Sequence, residues 1–435
     1  MLFNLLMENC HFPKNWKTAV VIPILKPNSD DTQPQNYRPN SLLSSLSKAY
    51  EFVLLNRLNQ PCIARNIIIH EQHGFVTQCS TVTQLQRVTE LIHHGFQNNQ
   101  ATGMLFVDIA KAFDKIWHDG LLSKMMRLGF SDQLIKIIHS YLNSHEFRVR
   151  VENSLSTPRP ILSGVPQGSL LGPKLFNLYI NDIPKAVGVH LAMYADDTAI
   201  FTQNIYNCNI IERLQNYVIR LETWLNDWKI KVNASKSACL LFTRQQCIGN
   251  LPHVNIFNQP VPWVTEYKYL GLILYTKLNF AKHIHSAHQQ AAGMRCTLNR
   301  LISPKSKLAL RQKVLLYKAI LRPIMLYASP IWAAATVTHL ERLHTFQNIQ
   351  LRRAANAPWF VRNEVLHKDL NVPPLLDFIK KQSENFFDRL PQILNESIRK
   401  IPAYDNSIPS SSKRPRAVLN HSYQHFPALK RMRMS

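Results

Sequence analysis

HLAMYADDTAIFT, residues 190–202, reads as two apolar strands meeting at the tight turn Tyr194-Ala195-Asp196-Asp197. Buried strands with a polar, acidic end describe a hairpin, although an aromatic-Ala-Asp-Asp tetrapeptide alone also fits an ordinary Asx-rich turn. Upstream, Met104 to Ile109 is a short apolar run that reads as a buried strand carrying an acid, Asp108, at its end. Downstream, Ile211, Leu214, Val218, Leu221, Leu225 and Trp228 form one apolar stripe, which predicts a helix packed on a sheet. Further strands are expected at 237–242 and 267–274. Earlier in the chain, 17–27 (KTAVVIPILKP) is β-rich, and 41–59 carries Leu42, Leu46, Tyr50, Val53 and Leu54 at helical spacing. A second helix is expected after a Ser80 cap, with Leu85, Val88, Ile92 and Phe96 on one face. Two more helices should follow Asp108, the second capped by Ser131. Phe147 to Val151 alternates strictly, placing Arg148 and Arg150 on one face of a strand. SGVPQGSLLGP (163–173) is a Gly/Pro loop leading into a helix through Asn181. From about 280 the pattern is helical, basic and punctuated by proline, and the tail from about 403 is polar, basic and expected to be poorly ordered. The fold class is α+β with a helical C-terminal region.

The chain has 435 residues, of which 46% are hydrophobic and 18% charged, so a packed core is expected and wholesale disorder is not. Lys and Arg number 51 against 27 Asp and Glu, a net charge of +24. The excess is lopsided: residues 1–275 hold 25 basic and 19 acidic side chains, residues 276–435 hold 26 and 8. A polyanionic partner is indicated, with its footprint on the C-terminal third. No run of eighteen uncharged apolar residues exists, so no membrane-spanning helix is expected. The N-terminus lacks a basic leader with a small-residue cleavage site. Seven cysteines, an odd number without a C-x-x-C pair, argue against a disulfide framework or a zinc knuckle. An intracellular protein, in cytoplasm and nucleus, is expected, with KRPR (413–416) as a candidate import signal.

Asp108 at a strand end and Asp196-Asp197 at a hairpin tip suit phosphoryl transfer by two metal ions, which needs carboxylates converging from neighbouring strands. Hard oxygen donors favour Mg²⁺. FVDIAKAFDKIWH (106–118), SGVPQGSLLGPKLFNLYIND (163–182) and YADDT (194–198) together resemble the palm motifs of reverse transcriptases, in the non-LTR, LINE-like, jockey-type branch. VVIPILKP (20–27) and NYRPNSLLSSLSKAYEFVLLNRL (36–58) resemble finger motifs. KVNASKSACLLF (231–242) and YKYLGLILYTKLNFAKHI (267–284) resemble the last palm motif and the primer grip, and LRPIMLYASPIW (321–332) the thumb region. The resemblance spans about residues 10 to 370.

It implies a right-hand polymerase fold: fingers and palm with an antiparallel sheet over 1–275, a helical thumb over 276–345, a helical basic region over 346–402, and the tail from 403 to 435. It implies an RNA-directed DNA polymerase that adds dNTPs to a primer 3′-hydroxyl on an RNA template. Two Mg²⁺ ions, with Mn²⁺ as an alternative, would bind Asp108, Asp196 and Asp197 with the Ile109 carbonyl. Lys26 and Arg38 would grip the triphosphate; the bland alternative is solvated surface charge. Phe113 would screen the ribose 2′-hydroxyl, or be a core ring. Gln167 and Gly168 would form a loop under the templating base and nucleotide, and Tyr194 would be a further substrate-binding residue. Lys236 would donate a proton to pyrophosphate. Tyr269, Leu270 and Gly271 would make the primer-grip turn, and Asp114 would serve as a hydrogen-bond partner. Trp332, Phe346 and Trp359 are candidate stacking rings, with core packing as the default.

The resemblance also implies that a first finger segment and any endonuclease lie outside this chain, so that other element-encoded proteins are candidate partners. Three residues depart from the family pattern: Asn40 replaces an apolar residue, Val76 an arginine and Tyr275 an aspartate. Such changes suit a decayed copy, and the alternative function is a catalytically silent remnant that binds nucleic acid.

Overall fold

In a computed structural model, residues 2–26, 29–109, 112–245, 250–401 and 414–420 are described. The hairpin at the tip of the acidic motif forms as the sequence indicates. Strands β7 (Val189–Tyr194) and β8 (Asp197–Asn204) pair antiparallel, with Tyr194 opposite Asp197. Strand β3 (Ala101–Asp108), buried along seven of its eight residues, pairs antiparallel with β8 and sets Asp108 opposite Asp197. On its other edge β3 pairs with β9 (Ala238–Phe242), which carries the two-residue β12 (Trp263–Val264) in parallel. The sheet order is therefore β12-β9-β3-β8-β7, the expected antiparallel sheet with one parallel edge.

Helices cover both faces. On one, α7 (Asn207–Asp227) buries Ile210, Leu214, Val218, Leu221 and Leu225 in the same core as Leu105 and Val107 of β3. On the other, α3 (Thr81–Gln97) buries Leu85, Val88, Ile92 and Phe96 with Met104 and Phe106. The alternation of β3 side chains thus splits the interior into two apolar layers. Ser80 caps α3 with a full capping box, accepting the Thr83 N–H while Thr83 Oγ1 accepts the Ser80 N–H.

The N-terminal sheet pairs β1 (Thr18–Leu25) antiparallel with β2 (Tyr37–Leu42) and parallel with β4 (His145–Val151), which also holds the short β5 (Ser154–Leu155) and β6 (Arg159–Ile161). The helix expected over 41–59 starts later, as α2 (Ser45–Ala64), and its buried stripe is Tyr50, Leu54, Leu58 and Cys62. Pro39 explains the shift: the residue before a proline is held extended, so Tyr37 to Leu42 joins the sheet and Leu42 stays exposed. Helices α4 (His118–Arg127), α5 (Asp132–Leu142) and α6 (Gly172–Tyr179) complete this half. Two small hairpins follow: β10 (Val254–Ile256) with β11 (Gln259–Val261), and β13 (Glu266–Tyr269) with β14 (Leu272–Tyr275). The strand expected over 267–274 is this second hairpin, folded at Leu270-Gly271.

Beyond 280 the described chain is helical, including Ala281–Thr297, Val337–Ala354 and Leu375–Arg389. No helix among the described residues is long and apolar enough to cross a membrane. The expectation of a loose tail from 403 needs correction at 414–420. Arg414 is buried against Gln97 and beside Glu90 of α3, and Val418 is fully buried, because the tail supplies the apolar and cationic groups that cover this helix face. Arg414 is thereby withdrawn from the KRPR run; the other tail residues of that expectation, 403–413 and 421–435, lie outside the described residues.

Burial also predicts acid sensitivity. His73 and His93 are pushed down to about 3, and His145 and His283 to about 4, with loss of water as the first cause in each. These groups are neutral in the fold but gain protons on unfolding near 6.5, so the stabilisation is full above 6.5 and is lost as pH falls toward the folded values. Lowering the pH from 7 to 5.5 should cost about 1 kcal/mol per histidine, on the order of 4–5 kcal/mol together. Thermal melts at the two pH values check this, and an unchanged midpoint would refute it.

Candidate active site

The acidic centre is built from backbone register. Asp108 ends β3, its N–H bonds Ser237 Oγ at 3.2 Å, and its carbonyl accepts Asn233 N–H at 2.9 Å. Ile109, next in line, is buried and bridges to Val232. Across the sheet, Asp197 begins β8, and Asp196 stands on the turn. Asp196 and Asp197 keep faces open to solvent, yet the walls around them remove enough water to matter. That loss of water, then repulsion from Asp196 and Asp108, pushes Asp197 up to about 6. Asp196 is raised mainly by the same loss of water and further by Asp108, while Arg38 opposes the shift. The strands therefore concentrate three carboxylates, of which Asp196 and Asp197 resist ionising.

This is the chemistry of an oxygen donor set for a hard cation, which would relieve the mutual repulsion. Among the described residues no three His, Cys, Asp or Glu side chains already stand in metal-holding geometry. The fit thus rests on the donor chemistry and the raised carboxylates.

The other expected residues ring this centre. Arg38 lies on β2 opposite Ile24 of β1, is exposed, and acts electrostatically on Asp196. Lys26 follows β1, half-buried, with its N–H on the Asn36 carbonyl at 2.9 Å. Phe113 is half-buried, 4.9 Å from the Phe176 ring and 6.1 Å from that of Phe75. One side of the ring packs on the core, and half-burial leaves the rest accessible. Gln167 donates to Asp114 Oδ1 at 2.9 Å, and its carbonyl accepts Ser41 N–H at 2.9 Å. Asp114 is a hydrogen-bond partner, as expected. Gly168 has φ +108°, and a Cβ there would stand 2.8 Å from the Ser41 carbonyl, so the loop can meet β2 only as glycine.

Lys236 ends a single 3-10 turn before β9, exposed, one residue from the Ser237 that bonds Asp108. Tyr194 is half-buried at the hairpin end. Tyr269 is buried, with its hydroxyl donating to the Ala192 carbonyl at 3.2 Å. Leu270 and Gly271, at φ +45° and +82°, form a two-residue turn. Tyr327 from the helical region holds that turn by donating to the Leu270 carbonyl at 2.6 Å. Trp332 and Phe346 are core rings, whereas Trp359 is 88% exposed.

Several residues escaped the sequence reading. Glu51, fully buried on α2, accepts the Leu170 N–H at 2.7 Å and so anchors the 163–173 loop. Phe75 has φ +57°, unusual for a bulky side chain, and walls the site beside Phe113. Gln72 and Gly74 lie directly under the acidic turn. Their only local signal was the Gly-Phe pair preceding Val76.

A profile described as "Reverse transcriptase (RNA-dependent DNA polymerase)" matches residues 24–274. The RNA-directed DNA polymerase from mobile element jockey of Drosophila melanogaster is 34% identical over 433 residues, 97% of this chain and 47% of that protein. The probable RNA-directed DNA polymerase from transposon BS of the same organism is 35% identical over 400 residues, 90% of this chain and 44% of that protein. The chain thus spans less than half the length of these relatives. A solved structure of apo telomerase from Candida Tropicalis aligns with a TM-score of 0.48 at 10% identity, covering 92% of this chain and 74% of that one.

Proposed function

The chain belongs to the reverse transcriptase family, and from that premise we propose that it is the RNA-directed DNA polymerase of a jockey-type non-LTR element. It would add dNTPs to a DNA primer 3′-hydroxyl on an RNA template. The observation that carries this reading is the register setting Asp108 opposite Asp197, with Asp196 on the adjoining turn. Asp108, Asp196 and Asp197, with the Ile109 carbonyl, would hold two divalent cations, Mg²⁺ or Mn²⁺; when bound, such ions supply activation of the hydroxyl and neutralisation of the leaving pyrophosphate. Arg38 and Lys26 hold the triphosphate from the finger side. Gln167 and Gly168 support the nascent base pair, and Lys236 delivers a proton to pyrophosphate. Tyr269, Leu270 and Gly271 place the primer end.

In this reading residues 1–275 are fingers and palm, 276–345 thumb, 346–402 a basic helical region, and 403–435 a tail. The basic C-terminal third tracks the template–primer duplex through its phosphates, with exposed Trp359 available for base stacking. The protein would work in cytoplasm and nucleus, and its nuclear address would not be KRPR, since Arg414 is buried.

Primer extension on oligo(dT)-primed poly(rA) with Mg²⁺ tests the proposal. Extension supports it. Salt-sensitive duplex binding without extension would instead favour the silent remnant that Asn40, Val76 and Tyr275 suggest. Phe113→Ala opens the wall where a 2′-hydroxyl would sit, so the preference for dNTP over rNTP in kcat/KM should drop by about tenfold or more, an effect of 1.4 kcal/mol or above. An unchanged ratio would assign Phe113 to the core alone.

A further inference from the structure

Beneath the acidic hairpin runs Gln72-His73-Gly74, a segment from before α3. It is stitched to β7 by the Met193 N–H on the Glu71 carbonyl at 3.0 Å and the His73 N–H on the Met193 carbonyl at 2.9 Å. The Gln72 side chain is 1% exposed and makes three hydrogen bonds. Its Oε1 accepts the Gly74 N–H at 2.7 Å and the Ala195 N–H at 2.9 Å, and its Nε2 donates to the Ala195 carbonyl at 3.2 Å. Flipping the amide would set donor against donor and acceptor against acceptor, so the network itself fixes its orientation.

One buried amide therefore holds both polar groups of Ala195. That residue has φ +55°, while Asp196 does not share the positive φ. A two-residue hairpin with positive φ at its first turn position ordinarily takes glycine there. An alanine in this conformation persists only where the surroundings impose it, and here the surroundings are Gln72. Asp196 is the second residue of that turn, and Asp197 is the first residue beyond it.

On its far side the segment is itself braced. His73 Nε2 lies 2.9 Å from Ser397 Oγ, and Asn395 Nδ2 donates to the His70 carbonyl at 3.1 Å, both from the C-terminal helical region.

We infer that Gln72 is a positioning residue for nucleotidyl transfer: its amide fixes the Ala195 backbone and hence the direction in which the Asp196 and Asp197 carboxylates meet the cations. This rests on the polymerase reading, although Gln72 itself touches no reacting atom.

The test measures Mn²⁺ affinity of the full chain by electron paramagnetic resonance, alongside Mg²⁺-dependent single-turnover extension, duplex binding and thermal midpoint. Gln72→Met keeps the volume and deletes the three bonds. Its Mn²⁺ affinity should fall about tenfold and its extension rate ten- to hundredfold, with duplex binding changed less than twofold. Gln72→Glu should stay within threefold of wild type, because a carboxyl kept neutral by burial can both accept from the two N–H groups and donate to the Ala195 carbonyl. Adding Ala195→Gly to Gln72→Met should recover most of the loss, since glycine holds a positive φ unaided. If Gln72→Met does not fold, Gln72→Asn, too short to span both groups of Ala195, replaces it. Mn²⁺ affinity equal to wild type in the bond-deleting variant overturns the inference, whatever happens to the thermal midpoint. A wild-type chain that binds Mn²⁺ but extends no primer overturns the polymerase reading instead, and the Mn²⁺ comparison still decides the role of Gln72.

Discussion

Asp196→Ala or Asp108→Ala should each lower single-turnover extension by about 10²–10³-fold, equivalent to the loss of roughly 3–4 kcal/mol of transition-state stabilisation, while duplex affinity stays unchanged. Asp108 ends β3 while Asp196 stands on the turn that leads into β8, and the antiparallel register sets Asp108 against Asp197 at the start of β8. Neither should replace the other, because they stand on different elements, the end of β3 and the β7–β8 turn. Asp197→Ala should cost less, if in the proposed cation set it assists Asp108 and Asp196, as the family resemblance implies. Stability should move the opposite way. Asp197 is held up at about 6 by loss of water and by its two acidic neighbours, so its ionised form is disfavoured in the fold at neutral pH. Asp197→Asn should therefore raise the thermal midpoint at pH 7.5, and the gain should shrink as the pH falls through 6 and disappear only near the ordinary value of 3.8, where the carboxyl is protonated in the folded and the unfolded chain alike. Active sites that store such repulsion exchange stability for function. An Asp196→Ala variant with wild-type extension would remove the carboxylates from the chemistry.

The readability of this arrangement from sequence follows the range of the interactions. Strands β3, β7 and β8 and helix α3 announce themselves through apolar periodicity and, for α3, the Ser80 cap, all local signals. The positions of Asp108 and Asp196-Asp197 were legible because they lie at a strand end and a hairpin turn that local patterns already mark. Gln72 and Glu51 were not. Their partners are Ala195 and Leu170, 123 and 119 residues away, and those partners are backbone groups that leave no trace in residue type. Composition likewise could not rank Trp332, Phe346 and Trp359, which are alike in pattern, yet only the last is exposed. The buried cluster of Arg414 with Gln97 and Glu90 escaped for the same reason: a charge run is read as solvated until a fold offers it a partner.

Gly74→Ala should be severely damaging for a change of a single methyl group. A Cβ at Gly74 would stand 2.9 Å from the Tyr194 carbonyl carbon and closer still to the Ala195 nitrogen. Both are backbone atoms of the acidic turn, so no side-chain rotation relieves the clash. The Gly74 carbonyl is also fixed by Asn177 Nδ2 at 2.9 Å, and its N–H by Gln72, so the segment cannot retreat without breaking both bonds. Overpacking of this kind costs about 1–3 kcal/mol in stability. The larger effect is on the site: the turn must lift, carrying Asp196 and Asp197 away from Asp108, and extension should fall at least about 10²-fold, in keeping with the sensitivity of such reactions to displacements near 1 Å. Gly293 supplies the matching control. It lies within helix Ala281–Thr297 with open space where its Cβ would be. Gly293→Ala should stabilise the chain by about 0.5–1 kcal/mol through helix propensity and leave extension untouched. Thermal melts and extension rates on the two variants would then separate opposite effects of one added methyl. If Gly74→Ala extends primers at the wild-type rate, the turn does not depend on the segment beneath it.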